Sequence, residues 1–162
     1  MDLQHMSEQA RLPWFPFSFF SMIMGLSGYT LVWIKIDELG ILGFSPVEIF
    51  AALSIALFIV LSVLYTIKIF RHRQSVVDEL NHPAMLSFFP TITISLILIG
   101  TFLSTWLPSL ALVIWLIGAL GQLALTLLIL TRWIHHDHFE IHHISPAWFI
   151  PAVGNILVPL AG

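Results

Sequence analysis

The sequence predicts an all-α, polytopic membrane fold of transmembrane helical hairpins, and three observations carry that prediction. Between Glu79 and Arg132 the chain runs 52 residues without an Asp, Glu, Lys or Arg. As helix, that run reaches roughly 78 Å against about 30 Å for the hydrocarbon core of a bilayer, so it must cross twice. Pro108 stands near its middle, which places a tight turn at Trp106-Leu107-Pro108-Ser109. Composition is the second observation: 58% of residues are hydrophobic, 9% are charged, and mean hydropathy is +0.95. A soluble domain of 162 residues has too little interior to hide that much apolar surface. The third is that the remaining charges fall between apolar windows of about 17–25 residues, the length that spans a bilayer.

These windows divide the chain into a cytoplasmic N-terminal segment, 1–12, and a transmembrane domain, 13–162. The expected spans lie at about 13–34, 48–69, 87–106, 110–132 and 145–162. Asp2 and Glu8, followed by a long apolar run with no small-residue cleavage site, argue against a cleavable signal. The first span opens Pro13-Trp14-Phe15-Pro16-Phe17-Ser18 and then sets Ser18, Ser21, Gly25 and Gly28 on one helical face, at offsets of 3, 4 and 3. The second is smooth, rich in Leu, Ile, Val and Ala, with no proline. His82-Pro83 precedes the third and sets its angle of approach, because a residue before proline avoids the helical region. The third carries Pro90, with Ser87, Thr91 and Ser95 at i, i+4 and i+8. The fourth, Leu110–Leu130, is smooth again, and the fifth carries Pro146, Pro151 and Pro159 with Gly154 and Asn155.

Proline inside a spanning helix frees a backbone carbonyl that must find a neighbour, a hydroxyl or water. The kinked first, third and fifth spans therefore suit a protein interior or a water-filled path, and the smooth even spans suit lipid. The candidate path-lining residues are Ser18, Ser21, Gly25, Gly28, Ser87, Pro90, Thr91, Ser95, Pro151 and Gly154. Each also admits a plainer role, since small residues let helices approach closely. Orientation follows from the excess of basic residues on the cytoplasmic side. Arg11, Lys68, Arg71, Arg73 and Arg132 share one side and only Lys35 the other, which puts the N-terminus in the cytoplasm.

Function classes narrow in the same way. The net charge of −3, with no basic stripe, gives no support for nucleic-acid binding. Without cysteine there are no disulfides or thiolate metal sites. Nothing implies an enzyme or a cofactor. Residues 132–143 hold five of the eight histidines. His138 and His142 share a helical face at a spacing that suits zinc or nickel, so a metal-binding or sensory role for His135, His138 and His142 is the alternative function. The order His-Phe-Glu-Ile-His is not the zinc-protease pattern, and an interfacial connection explains the segment without metal. No span holds Lys or Arg away from its ends, so an anion here would rely on hydroxyls, backbone N–H groups and half-helix dipoles. Such distributed sites favour channel-like passage over tight carrier binding.

Phe15-Pro16-Phe17-Ser18-Phe19-Phe20 with Gly25-Leu26-Ser27-Gly28 form one block, and His82-Pro83 with Ser87-Phe88-Phe89-Pro90-Thr91 a second. A third is Ser145-Pro146-Ala147-Trp148-Phe149-Ile150-Pro151 with Gly154-Asn155 and Pro159. Together they resemble the tellurite-resistance/dicarboxylate transporter family, which includes TehA-type bacterial proteins and plant guard-cell slow anion channels. The resemblance runs from Pro13 to Gly162. It implies a ten-helix subunit of five hairpins around a pore lined by odd-numbered helices, a homotrimer in the inner (plasma) membrane, and passage of small inorganic anions or C4-dicarboxylates. That family's pore-occluding phenylalanine lies on its ninth helix, so no residue here takes that role. With five spans of an expected ten, the chain is expected to be an N-terminal fragment. By itself it would form no stable channel, and a non-transporting fragment is the remaining alternative.

Overall fold

The computed structural model describes residues 15–40, 43–135 and 146–160, and among these every regular element is helical. Pro16 is extended (φ −81°, ψ 148°), and a 3₁₀ turn at Phe17–Phe19 leads into α1, Phe20–Glu38. Helix α1 continues past the expected end at residue 34, because charge ends a hydrocarbon span but not a hydrogen-bonded backbone. It stops where Gly40 takes a left-handed φ of 63° and its N–H bonds the Asp37 carbonyl at 3.0 Å. Helix α2 covers Val47–Arg71. A nine-residue helix that the sequence reading left as connection, α3 at Arg73–Asn81, folds back beneath it, followed by the short α4 at Pro83–Leu86.

The third span is shorter than expected: α5 runs only from Pro90 to Leu103, 14 residues or about 21 Å. Proline lacks an N–H and fits the first helical turn, so Pro90 opens α5. Pro108 likewise opens α6, Pro108–His135, instead of sitting inside the turn, which falls earlier, at 104–107. Helix α7, Ile150–Leu157, lies between 3₁₀ turns at Pro146–Phe149 and Val158–Leu160. Helices at Phe17–Glu38, Val47–Arg71 and Pro108–Ile134 are long and apolar enough to cross a membrane; Pro90–Leu103 and Pro146–Leu160 are apolar but shorter.

Helix α5 forms the centre. Eleven of its 14 residues are buried, and it packs against α6, α1, α7 and α2. Glycines bring α5 and α6 almost backbone to backbone. A Cβ at Gly118 would stand 2.9 Å from the Ile97 nitrogen, and one at Gly100 would stand 2.9 Å from the Trp115 nitrogen. Outer faces of α2 (Ile49, Leu53, Ile59, Val60, Val63) and α6 (Leu112, Ile117, Leu120, Leu123, Leu127) remain exposed and apolar. Faces of this length and composition suit a lipid environment. This is an all-α, multi-pass membrane protein. One end of the bundle holds the start of α1, the end of α2, α3 and the end of α6, sealed by an aromatic cluster. There Phe17 stacks on Phe89 at 4.3 Å and meets the Tyr65 ring edge-on at 4.6 Å. Arg132 ties α6 to this end by donating to the Leu80 carbonyl at 2.7 Å.

Candidate functional site

The residues expected to line a path fall into two groups. Ser18, Ser21, Gly25 and Gly28 lie on the outer face of α1, half-buried apart from Gly25, which is exposed. A Cβ at Gly25 or Gly28 would meet nothing within 4 Å, in contrast to the crowded glycines of α5 and α6. The Ser21 hydroxyl donates to the Ser18 carbonyl at 2.6 Å, and the same face also exposes Met22, Tyr29 and Val32. This face is open while the opposite side of α1 is packed, with Phe20, Ile23, Ser27 and Thr30 buried.

Ser87, Pro90, Thr91, Ser95, Pro151 and Gly154 form the second group, and all are buried within the bundle. Thr91 donates to the Phe88 carbonyl at 2.6 Å. Ser95 donates to the Thr91 carbonyl at 2.7 Å and lies 3.4 Å from the Phe20 carbonyl of α1. These hydroxyls are therefore occupied by helix backbone within this bundle. They seal contacts instead of facing open space.

Pro151 and Gly154 belong to a polar network that the sequence reading missed. The smooth fourth helix is not wholly lipid-facing: its Gln122 is fully buried and its Thr126 nearly so. Thr93 donates to the Gln122 side-chain oxygen at 2.6 Å, and the Gln122 amide donates to the Pro151 carbonyl at 2.9 Å and to Thr126 at 3.3 Å. Asn155 donates to Thr126 and to the Pro151 carbonyl, each at 3.0 Å. Three helices are thus joined in the apolar layer, where water cannot serve as partner. Gly154 has a specific reason to lack a side chain, because a Cβ there would collide with the Gln122 amide. The signal was present in the sequence: Gln122 is the lone amide in Leu110–Leu130.

Charge is concentrated at the two ends. Lys68, read from sequence as a flanking cation, is fully buried in the last turn of α2. Its ammonium donates to Glu79 of α3 at 2.5 Å and to the Phe15 carbonyl at 2.7 Å. Tyr65 donates to the other Glu79 oxygen at 2.8 Å. A cavity of about 170 Å³ adjoins this cluster, lined by Pro16, Phe17, Ser18, Glu79, Met85 and Phe88. At the far end a cavity of about 310 Å³ is lined by Asp37, Glu38 and Glu48 with Ile34, Ser45, Val47, Thr105 and Trp106. His82, at the approach to the third span, is exposed. His138 and His142, and most of the histidine-rich connection, lie outside the described residues. Among the described residues no three His, Asp or Glu side chains converge as a metal site.

The family model described as SLAC1, voltage-dependent anion channel, matches residues 14–162. Two uncharacterized transporters of Methanocaldococcus jannaschii are 29% and 27% identical over 111 and 115 residues, each alignment covering 67% of this chain and 32% of the relative. A tellurite resistance protein TehA homolog of Haemophilus influenzae is 27% identical over 138 residues, 85% of this chain and 42% of that protein. The chain therefore spans between about a third and two fifths of the length of these curated relatives.

Proposed function

Since this chain belongs to the SLAC1 voltage-dependent anion channel family, we propose that it forms part of a membrane path for small anions, inorganic anions or C4-dicarboxylates, through which they pass in channel-like fashion. The observation that carries this reading is the open face of α1. A helix packed on one side presents Ser18, Ser21, Gly25 and Gly28 on the other, with space beyond both glycines. Beside the exposed Met22, Tyr29 and Val32 runs a narrow stripe of hydroxyls and glycines, whereas α2 and α6 expose chiefly large aliphatic residues, and such a stripe fits an aqueous wall better. Ser87, Thr91 and Ser95 are buried behind that wall, and Ser95 reaches the Phe20 carbonyl of α1 at 3.4 Å.

The wall closes into a conduit only with further helices opposite α1, in a longer chain or in other copies, and a homotrimer of ten-helix subunits is the assembly we propose. Arg71, Arg73 and Arg132 lie at the end where α1 begins, and Lys35, Asp37, Glu38 and Glu48 at the other. By the distribution of basic residues the first end, and with it the N-terminus, faces the cytoplasm across the inner membrane. Planar-bilayer recording of the assembly in which the conduit is closed, the longer chain or its oligomer, tests the reading. Currents whose reversal potential follows the chloride or nitrate gradient support it, and cation-selective currents or none would remove it.

A further inference from the structure

The transport reading does not use the buried ion pair beside the cavity at the cytoplasmic end. Lys68 is 0% exposed and Glu79 8%. Glu79 lines the cavity, and Lys68, bound to the Glu79 carboxylate, does not reach it. The other lining residues are Pro16, Phe17, Ser18, Met85 and Phe88, all uncharged. They come from the approaches to the first and third helical spans, the two that bear the hydroxyl stripes. Among the described residues, then, the acidic or basic side chain in the wall of this mouth is the Glu79 carboxylate, with a lysine directly behind it.

We propose that Glu79 masks a latent anion subsite whose cation is Lys68, and that the pair sets how strongly the mouth holds a small inorganic anion. This rests on the transport reading for its consequence but not for its chemistry. An anion in the cavity meets the negative end of the pair first, so the mouth is neutral overall and slightly repellent. Such a mouth binds anions weakly and releases them quickly, as conduction requires. Removing the Glu79 charge while keeping its bond to Lys68 leaves Lys68 as the nearest uncompensated charge. Glu79→Gln does this: the amide oxygen still accepts from Lys68, while the Tyr65 hydroxyl, which donates to the second Glu79 oxygen, turns to accept from the amide NH2. Ser18 is the hydroxyl-bearing residue in the lining of this cavity.

The test compares wild type, Glu79→Gln and the double variant Glu79→Gln/Lys68→Gln, each purified as the assembly in which the conduit is closed and reconstituted in planar bilayers, with nitrate as probe. A unit charge acting across about 10 Å at an effective dielectric of about 20 changes binding on the order of tenfold. The half-saturating nitrate concentration should therefore fall on the order of tenfold in Glu79→Gln and return to the wild-type value in the double variant. Calorimetric titration of nitrate into the same detergent-solubilised proteins reads the subsite without any current, and the same tightening and reversal are expected. Conducting wild type with an unchanged Glu79→Gln variant overturns the masking, as does tightening that survives removal of Lys68. A silent wild type removes the transport reading instead, and the calorimetric comparison then decides the subsite alone.

Discussion

Substituting Gln122 and Asn155 together should cost more stability than the sum of the two single changes, and the size of the excess can be worked from the network. Gln122→Met keeps the volume of the side chain but removes two interhelical hydrogen bonds, from Thr93 at 2.6 Å and to the Pro151 carbonyl at 2.9 Å. Measured interhelical bonds in membranes average about 0.6 kcal/mol, so the single change costs about 1 kcal/mol. Thr93 keeps a partner, because the Pro90 carbonyl lies 2.8 Å from its hydroxyl. Asn155→Ala removes the donors to Thr126 and Pro151, again about 1 kcal/mol. In either single variant the Pro151 carbonyl keeps one amide donor. In the double variant its side-chain partners shrink to Thr126, at 3.4 Å, beside the backbone N–H one turn on in α7. Groups that share one hydrogen-bond network couple by about 0.5–3 kcal/mol, and because the carbonyl keeps its helix bond the double variant should fall at the low end, about 0.5 kcal/mol below additivity. Unfolding titrations with SDS in mixed micelles, read by tryptophan fluorescence, give the three values. Strict additivity would show that the two amides do not share the Pro151 carbonyl and would refute the network as described.

Other outcomes follow from the same packing. Gly118→Ala puts a Cβ 2.9 Å from the Ile97 backbone nitrogen, which cannot yield, and should destabilise by about 1–3 kcal/mol, while Gly25→Ala meets nothing and should leave the unfolding midpoint unchanged or higher. Lys68→Met strands a buried carboxylate and should cost about 3–5 kcal/mol, and adding Glu79→Met should recover most of the loss in the same SDS titration. Replacing His135, His136, His138, His142 and His143 with Gln should leave the pH dependence of anion flux unaltered, and a flattened profile would make the histidine-rich connection a pH sensor.

The number and nature of the apolar helices were legible in the sequence because hydrophobicity is a local property and a bilayer demands a fixed length of it. Prolines marked helix starts well, although Pro108 proved to open α6 where a turn residue was expected. Neighbour choice was less legible. The spacing of Ser87, Thr91 and Ser95 puts them on one face, but only the packing of α1 shows that this face meets protein. Lys68 is ordinary as a flanking cation until α3 folds back and delivers Glu79 from 11 residues away. Helix α3 itself is short and polar, with too few apolar positions to signal a period, and its stability comes from the contact it makes. Gln122 was visible and undervalued: one amide in a long aliphatic helix is costly unless paired, and here its partners lie 29 residues away on either side.

The absence of cysteine from the sequence permits the most direct test of the central claim, that the open face of α1 is a wall of the anion path. Single cysteines at Gly25, at Gly28 and at Leu123 on the lipid-facing side of α6 would be exposed to a charged, membrane-impermeant methanethiosulfonate reagent during bilayer recording. Reaction at positions 25 and 28 that blocks the anion current, with position 123 silent, is the predicted result. Anion current that persists unchanged after both glycine positions have demonstrably reacted, or lack of reaction there in a conducting protein, would contradict it.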